Sequence, residues 1–133
     1  MDIKYTWAED LPDDCPPNDA TELHGAFYRL VESIPPIERD FCSLRKVFPL
    51  KSFKTNECIA RACSLMNTPE DCIALRKLPN QRHKQVVQIM LSGKNGVGKK
   101  TGKSPSHFSW WRAKNFDPVP CCKEVLYSIE GTL

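Results

Sequence analysis

The 133-residue sequence has no apolar run near the length of about 18 residues that a membrane-spanning helix needs. Its first residues, Met1 to Tyr5, lack the basic flank and apolar stretch that mark a secretory signal. The chain is also too short for two independent cores. We therefore expect one domain, no membrane association and a cytoplasmic location.

No C-x-x-C pair occurs, although the chain has seven cysteines. An odd number of cysteines without an export signal favours reduced thiols over a disulfide framework. Cys58 and Cys63 have four residues between them, and Cys121 and Cys122 are adjacent. Zinc sites usually repeat a closer pair and add histidine, so we expect no metal site and no cofactor, and we interpret most cysteines as small buried hydrophobic residues.

Charge is unevenly distributed, although the net charge is only +3. Counted from the sequence, residues 1–40 carry a net charge of −7, residues 41–116 carry +12 and residues 117–133 carry −2. Such asymmetry indicates an anionic partner for the basic segment. The alternative is that the acidic segment lies on the basic one and neutralises it within the molecule.

Two helices are predicted. Apolar residues recur at helical spacing over 37–48, with acids early, bases late and a proline after the last residue. Thr68-Pro69-Glu70-Asp71 is typical of a helix start, and we expect this helix to end near Leu78. Residues 57–66 form either a short helix or an irregular segment.

Four strands are predicted, over residues 25–31, 84–91, 106–112 and 124–130, from their alternation and their aliphatic and aromatic content. Residues 92–105 contain four of the six glycines and are expected to be a mobile loop. Residues 1–24 are acidic and rich in turn residues, which indicates an extended arm. We therefore predict an α+β fold in which residues 25–133 form one domain, with an antiparallel sheet of about four strands and two or three helices packed on one face.

The glycine-rich segment resembles a phosphate-binding loop. Gly93 to Lys99 match the glycine and lysine positions of G-x-x-x-x-G-K-[ST], but Lys100 occupies the hydroxyl position and Thr101 comes one residue late. No regular helix is expected to follow, as such a loop requires. We interpret the segment as a basic connection between strands, with phosphate binding by its backbone as the alternative.

Residues 94–114 contain no acid and interleave cations with aromatic rings. Cations bind phosphates while aromatic faces stack on bases, so we expect this surface to bind nucleic acid or another polyanion. Alternation along the strand should bury one adjacent tryptophan and expose the other. The predicted binding residues are Lys94, Lys99, Lys100, Lys103, Trp110, Trp111, Arg112 and Lys114.

A second set of residues suggests enzymatic chemistry. His107, flanked by two serines on a strand, is the histidine we select as a candidate acid or base. Arg29 on the first strand, Ser64 in mid-chain and Glu130 near the end loosely resemble the residue order of small ADP-ribosyltransferases. That resemblance implies that Arg29 would bind NAD and that Glu130 would be a late catalytic glutamate.

The chain also resembles a group of short uncharacterised bacterial proteins with Tyr-Arg, Asp-Phe-x-Ser and Ser-His-x-(Ser/Thr)-Trp-Trp blocks. The resemblance implies no activity, but it would make the glycine-rich segment a variable hairpin loop. It rests on Tyr28-Arg29-Leu30-Val31, Pro35-Pro36, Asp40-Phe41-Cys42-Ser43 and Ser106-His107-Phe108-Ser109-Trp110-Trp111.

Three functions remain open from the sequence. The first is a small cytoplasmic, non-enzymatic protein that binds nucleic acid or an acidic protein through residues 84–114. The second is a small ADP-ribosyltransferase-like or nucleic-acid-targeting enzyme or toxin that uses Arg29, His107 and Glu130. The third is an immunity or accessory protein whose arm, residues 1–24, docks on a partner.

Overall fold

The computed structural model describes residues 5–126, and one antiparallel sheet connects most of them. Within these residues the sheet has seven strands in the spatial order β1-β5-β6-β3-β2-β4-β7. The strands are β1 (Thr21–Glu22), β2 (Gly25–Val31), β3 (Cys63–Met66), β4 (Gln85–Leu91), β5 (Gly96–Lys100), β6 (His107–Arg112) and β7 (Cys122–Glu124).

The helices are short and lie in the connections between strands. The α-helices are α1 (Leu44–Val47), α2 (Glu57–Ala60) and α3 (Pro69–Ala74). Single 3-10 turns cover Glu38–Phe41, Leu75–Lys77, Pro79–Gln81, Gly93–Asn95 and Val119–Cys121.

The prediction of about four strands with helices packed on one face is wrong, since residues 5–126 form a seven-stranded sheet with helices of only four to six residues. The strands predicted over 25–31, 84–91 and 106–112 are confirmed as β2, β4 and β6. The strand predicted over 124–130 lies largely outside the described residues. The structure instead places β7 slightly earlier, where it pairs with β4.

The helix predicted over 37–48 is wrong as a continuous element. A 3-10 turn ends at Phe41, and α1 starts after Ser43, whose side chain accepts a hydrogen bond from the Lys46 amide. The Ser43 amide itself donates 2.8 Å to the Glu9 carboxylate in the arm. The predicted helix is therefore interrupted at Ser43, because the Ser43 amide donates to a distant segment and not to a carbonyl oxygen one helical turn earlier.

The helix start predicted at Thr68 is confirmed. The Thr68 side chain accepts a hydrogen bond from the Asp71 amide, and Pro69 occupies the first helical position. α3 itself ends at Ala74, and a 3-10 turn continues the chain to Lys77.

The arm follows one end of the sheet. Trp7 forms a β-bridge with Ala113, and the Ala8 amide donates 3.0 Å to the Arg112 carbonyl oxygen. A disulfide joins Cys15 to Cys58 of α2, so the prediction that the cysteines are reduced is wrong for this pair. The bond connects residues separated by 43 positions, a pairing that cysteine spacing alone does not reveal.

Both faces of the sheet bury apolar side chains. One face forms the larger core, built around residues such as Phe27, Leu65, Ile89 and Trp110. The other face packs Met66 and Val86 against Cys72 of α3. The second face also carries the cleft described below.

Candidate functional site

A gap between two neighbouring strands lies at a cleft in the sheet. β2 and β3 pair at a single position, Tyr28 with Met66. Beyond this pair the Arg29 side chain bridges β2 to β3, because Nη1 donates 2.7 Å to the Ser64 carbonyl oxygen. This bond takes the place of a backbone hydrogen bond that a continued ladder would supply. Nε donates 2.5 Å to the Asp40 carbonyl oxygen in the 38–41 turn.

The cleft has a volume of about 300 Å³ and apolar walls interrupted by a few polar groups. Such a composition is typical of sites for small molecules. Among the described residues no acidic side chain lines it, so its charge is positive. Its polar lining consists of Tyr28, Arg29, Ser64, Gln81, Lys84 and His107.

Strand register brings part of this lining together. Tyr28 on β2 pairs with Met66 on β3, and Met66 pairs with His107 on β6. Directly paired residues project from the same face of a sheet, so these three side chains form a row across the cleft floor. The sequence separates them by up to 79 positions, as counted from their numbers.

The Arg29 guanidinium keeps one nitrogen for a ligand. Nε and Nη1 bind backbone carbonyl oxygens, whereas Nη2 forms no hydrogen bond with any residue from 5 to 126. The two backbone bonds fix the plane of the guanidinium, and the remaining nitrogen can donate to an anionic oxygen. Arg29 therefore presents a positive charge in a fixed orientation at the edge of the cleft.

His107 contacts Thr101, the first residue of the β5–β6 connection. Its Nδ1 lies 3.1 Å from the Thr101 carbonyl oxygen and 3.2 Å from Thr101 Oγ1. The carbonyl oxygen can only accept, so this contact favours the neutral tautomer with the proton on Nδ1. Nε2 then holds the lone pair and has no hydrogen-bond partner among residues 5–126. A proton acceptor is thus available in the ring that lines the cleft.

A hydroxyl–carboxylate contact fixes the α3 wall of the cleft to β6. Ser106 Oγ donates 2.6 Å to Asp71 Oδ2, and this hydrogen bond, followed by that from Thr68, lowers the pKa of Asp71. Because Ser106 directly precedes His107, the contact also fixes the start of the strand that carries the histidine.

Lys84 lines the cleft from the opposite side. Its Nζ lies 3.5 Å from Glu32 Oε2, and His83 Nε2 lies 2.7 Å from the other oxygen of the same carboxylate. The hydrogen bond from His83 is the main cause that lowers the pKa of Glu32. Lys84 is consequently a partly neutralised cation, weaker than Arg29 as an anion ligand.

Both adjacent tryptophans are buried, so the prediction that one of them is exposed is wrong. Each is 1% exposed, and the Trp111 indole donates 3.0 Å to the Cys58 carbonyl oxygen. Trp111 lies on the face of β6 opposite Trp110, where α2 and the arm cover it. Neither ring can stack on a base in this structure.

The predicted basic residues are separated rather than clustered. Lys99 pairs with Asp19 at 2.8 Å, and Arg112 pairs with Glu38. The other four cations are exposed and form no ion pair with any described residue: Lys94, Lys100, Lys103 and Lys114.

These four lysines occupy opposite ends of the β5–β6 hairpin. The hairpin runs from the Gly96–Arg112 pair to the Lys100–Phe108 pair. At roughly 3.3 Å per residue, its two ends are ~13 Å apart. Lys94 and Lys114 therefore flank one end, and Lys100 and Lys103 the other.

The glycine-rich segment is a strand over Gly96–Lys100, so the prediction of a mobile loop is wrong there. β5 pairs with both β1 and β6, which uses its backbone groups in the sheet rather than around a phosphate. A Cβ on Gly98 would collide with Leu23 and lie 2.9 Å from the Ser109 carbonyl oxygen. Close packing, and not phosphate binding, explains this glycine.

The thiols among the described residues add no reactive group to the cleft, although Cys72 lines it. Glu130 lies outside the described residues. Burial raises the pKa of Cys72 and of Cys122 to about 12, which makes both thiols weak nucleophiles. Residues 5–126 contain no group of three metal-ligating side chains, and no helix among them is long and apolar enough to cross a membrane.

Sequence reasoning selected Arg29, Ser64 and His107, and the structure brings all three to one cleft. It missed Tyr28, Gln81 and Lys84. Alternation gives no signal for Tyr28, because it places neighbouring residues on opposite faces of a strand and Tyr28 directly precedes Arg29. Gln81 and Lys84 carry no signal either, because the 3-10 turn before β4 has no clear sequence pattern.

Comparisons with known proteins give no further guide, since no family model, curated protein or solved structure matches the chain.

Proposed function

We propose that the cleft binds a nucleotide-type anion and that the protein is a small ADP-ribosyltransferase-like enzyme acting on NAD. The observation that carries the proposal is the meeting of Arg29, Ser64 and His107 in one cleft without an acidic lining residue. The assignment to NAD rests on the resemblance in residue order, whereas the affinity for an anion rests on the cleft itself.

A phosphate and a base of the ligand each have a counterpart among the residues that line the cleft. Nη2 of Arg29 donates to a phosphate oxygen, and the apolar wall and the Tyr28 ring accept the flat base. In the transfer step the bond between the ribose C1′ and nicotinamide breaks, and an acceptor nucleophile forms the new bond at C1′. His107 Nε2 takes the proton that the nucleophile loses.

Calorimetric titration with ADP-ribose and with NAD tests the binding. We expect Arg29→Gln to weaken ADP-ribose binding by roughly 10- to 100-fold, because the variant loses a charge-assisted hydrogen bond to the ligand. Lys100→Gln removes an exposed cation from the hairpin and is the matched control, with unchanged binding expected. Absence of binding by the folded wild-type protein, or equal losses in both variants, would reject the proposal.

Release of nicotinamide from NAD tests the catalytic part separately. We expect His107→Gln to lose activity while it keeps ADP-ribose binding, because the glutamine retains a polar group but no basic ring nitrogen. If the wild-type protein binds NAD but releases no nicotinamide, the protein binds nucleotides and the proposed enzymatic activity is rejected.

A second candidate is polyanion binding by the exposed lysines of the β5–β6 hairpin. The observation in its favour is that Lys94, Lys100, Lys103 and Lys114 form no ion pair within the described part of the chain. Each phosphate contact with a single strand contributes about −0.7 to the slope of log K against log salt. Replacing Lys100 and Lys103 by glutamine should reduce that slope by about 1.4, and an unchanged slope would reject this candidate.

The cytoplasmic location remains a prediction. The Cys15–Cys58 disulfide favours an oxidising compartment over it, because such bonds are rare in reducing ones. Alkylation of the protein in intact cells, followed by mass measurement, would show whether the pair is oxidised where the protein resides.

A further inference from the structure

A second surface lies beside the cleft and has no role in the function proposed above. Three large apolar side chains between positions 44 and 50 face solvent: Leu50 is 98% exposed, Leu44 is 56% exposed and Phe48 is 46% exposed. Leu44 also lines the cleft, so this surface begins at the cleft mouth. An exposed apolar cluster rimmed by polar residues is a common mark of an interaction site.

The loop that presents Leu50 is held in place by one arginine. Nη1 of Arg45 donates 2.8 Å to the Pro49 carbonyl oxygen and 2.9 Å to the Lys51 carbonyl oxygen, on the two sides of Leu50. The opposite edge of the same guanidinium binds the Glu57 carboxylate at 2.8 and 3.0 Å. Leu50 is thus fixed in an outward position, which reduces the conformational entropy that a partner must remove on binding.

The same surface is positively charged. The sequence contains no acid from Phe41 to Asn56. Lys51 and Lys54 are exposed and form no ion pair with any residue that the structure describes. Lys51 Nζ lies 5.4 Å from the Phe48 ring centroid, so cationic and apolar groups share one surface.

We propose that this surface, formed by Leu44, Phe48, Leu50, Lys51 and Lys54, docks an acidic amphipathic segment of a partner protein. Leucines of the segment would cover Leu50 and Phe48 while its carboxylates reach the two lysines. Because Leu44 borders the cleft, the bound segment would lie across the cleft mouth.

Charge and shape favour a protein over other anionic partners. A nucleic acid would gain from the lysines but not from an aliphatic anchor such as Leu50. A lipid surface would gain little from one fully exposed leucine and two cations, since stable attachment takes more apolar insertion. An amphipathic segment uses both the apolar and the cationic part of the surface.

Fluorescence anisotropy with a defined probe tests the proposal on the full chain. The probe is a fluorescein-labelled synthetic peptide with leucines on one helical face and glutamates on the other, and its scrambled isomer has the same composition. We expect the wild-type protein to bind the probe and to bind the isomer at least tenfold more weakly. Leu50→Ser should weaken probe binding by about tenfold, and Lys51→Glu with Lys54→Glu by at least as much.

Two matched variants separate a specific surface from general stickiness. Leu126→Ser removes a leucine that is 84% exposed elsewhere, and Lys100→Glu with Lys103→Glu changes two exposed lysines on the hairpin. Both should bind the probe like the wild type. The proposal is overturned if the wild type does not bind the probe, if it binds the isomer equally well, or if the control variants lose as much binding. It is also overturned if the protein binds phosphatidylserine vesicles or a single-stranded oligonucleotide more tightly than the probe and that binding depends on Leu50.

Discussion

Nη1 of Arg29 donates a 2.7 Å hydrogen bond to the carbonyl oxygen of Ser64, beside the single position at which β2 and β3 pair. The same guanidinium reaches the Asp40 carbonyl oxygen through Nε. One side chain therefore connects two strands and the 38–41 turn and at the same time lines the cleft. Its structural contacts and its open nitrogen belong to different atoms of one guanidinium, so a loss of binding in Arg29→Gln has to be measured on protein shown to be folded.

Arg29→Lys should destabilise the protein although it keeps the positive charge. A lysine ammonium has no planar fork and cannot donate to both carbonyl oxygens in the present geometry. We expect the free energy of unfolding to fall by about 1–3 kcal/mol, the cost of leaving such groups without partners. Urea denaturation gives the measurement. Arg39→Lys changes an exposed arginine that forms no side-chain hydrogen bond with residues 5–126, and it should leave the midpoint unchanged.

Local sequence patterns predicted the strands whose own residues alternate clearly or form an aliphatic run. β2, β4 and β6 alternate or are aliphatic over six or seven residues, and such runs set a strand regardless of its partners. β3 has only four residues and begins shortly after α2, so its sequence carries too short a pattern. β5 has two glycines in five residues, and these indicate a loop unless the neighbouring Leu23 and Trp111 are known.

For the candidate site too, local sequence identified individual residues but not the long-range contacts that bring them together. Arg29 and His107 were identified as unusual polar residues on apolar strands, but their meeting depends on β3 lying between β2 and β6. The burial of Trp111 depends on α2 and on the arm, which the disulfide ties together. Spacing along the chain carries none of these long-range contacts.

Gly98→Ala should destabilise the protein, since packing rather than phosphate binding explains the glycine. A Cβ there would collide with Leu23 and press on the Ser109 carbonyl oxygen. Overpacking of this kind typically costs about 1–3 kcal/mol. Urea denaturation of Gly98→Ala, Leu23→Ala and the double variant gives a cycle in which the double variant should be less unstable than the sum of the two. Strict additivity would contradict the packing explanation.

Removal of the Cys15–Cys58 disulfide should lower stability and uncover Trp111. Opening a loop of 43 residues costs about 4 kcal/mol in the chain-entropy description. Cys58 also supplies the carbonyl oxygen that binds the Trp111 indole. We expect the Cys15→Ser variant to unfold at lower urea concentration and to show greater acrylamide quenching of tryptophan fluorescence.

Cys42→Ser is the matched control for that experiment, because it replaces a buried free thiol and leaves the disulfide intact. Its quenching should equal that of the wild type. If the wild type treated with dithiothreitol keeps the same urea midpoint as the oxidised protein, the disulfide does not contribute as argued.

The contact between Ser106 and Asp71 makes stability depend on pH. The hydrogen bond from Ser106 lowers the pKa of Asp71 below its ordinary value of 3.8, so the carboxylate is favoured in the folded state. A group of this kind stabilises the fold above its ordinary pKa, and the contribution is lost as the pH falls through the lowered pKa. We expect the urea midpoint of the wild type to exceed that of Asp71→Asn by a constant amount above about pH 5, and the difference to shrink towards pH 3. Glu70→Gln is the control, because Glu70 lies in the same helical turn and makes no side-chain hydrogen bond with described residues. A difference for Asp71→Asn that stays constant down to pH 3, or an identical profile for Glu70→Gln, would contradict the role of the Asp71 carboxylate, whose pKa the hydrogen bonds from Ser106 and then from Thr68 lower.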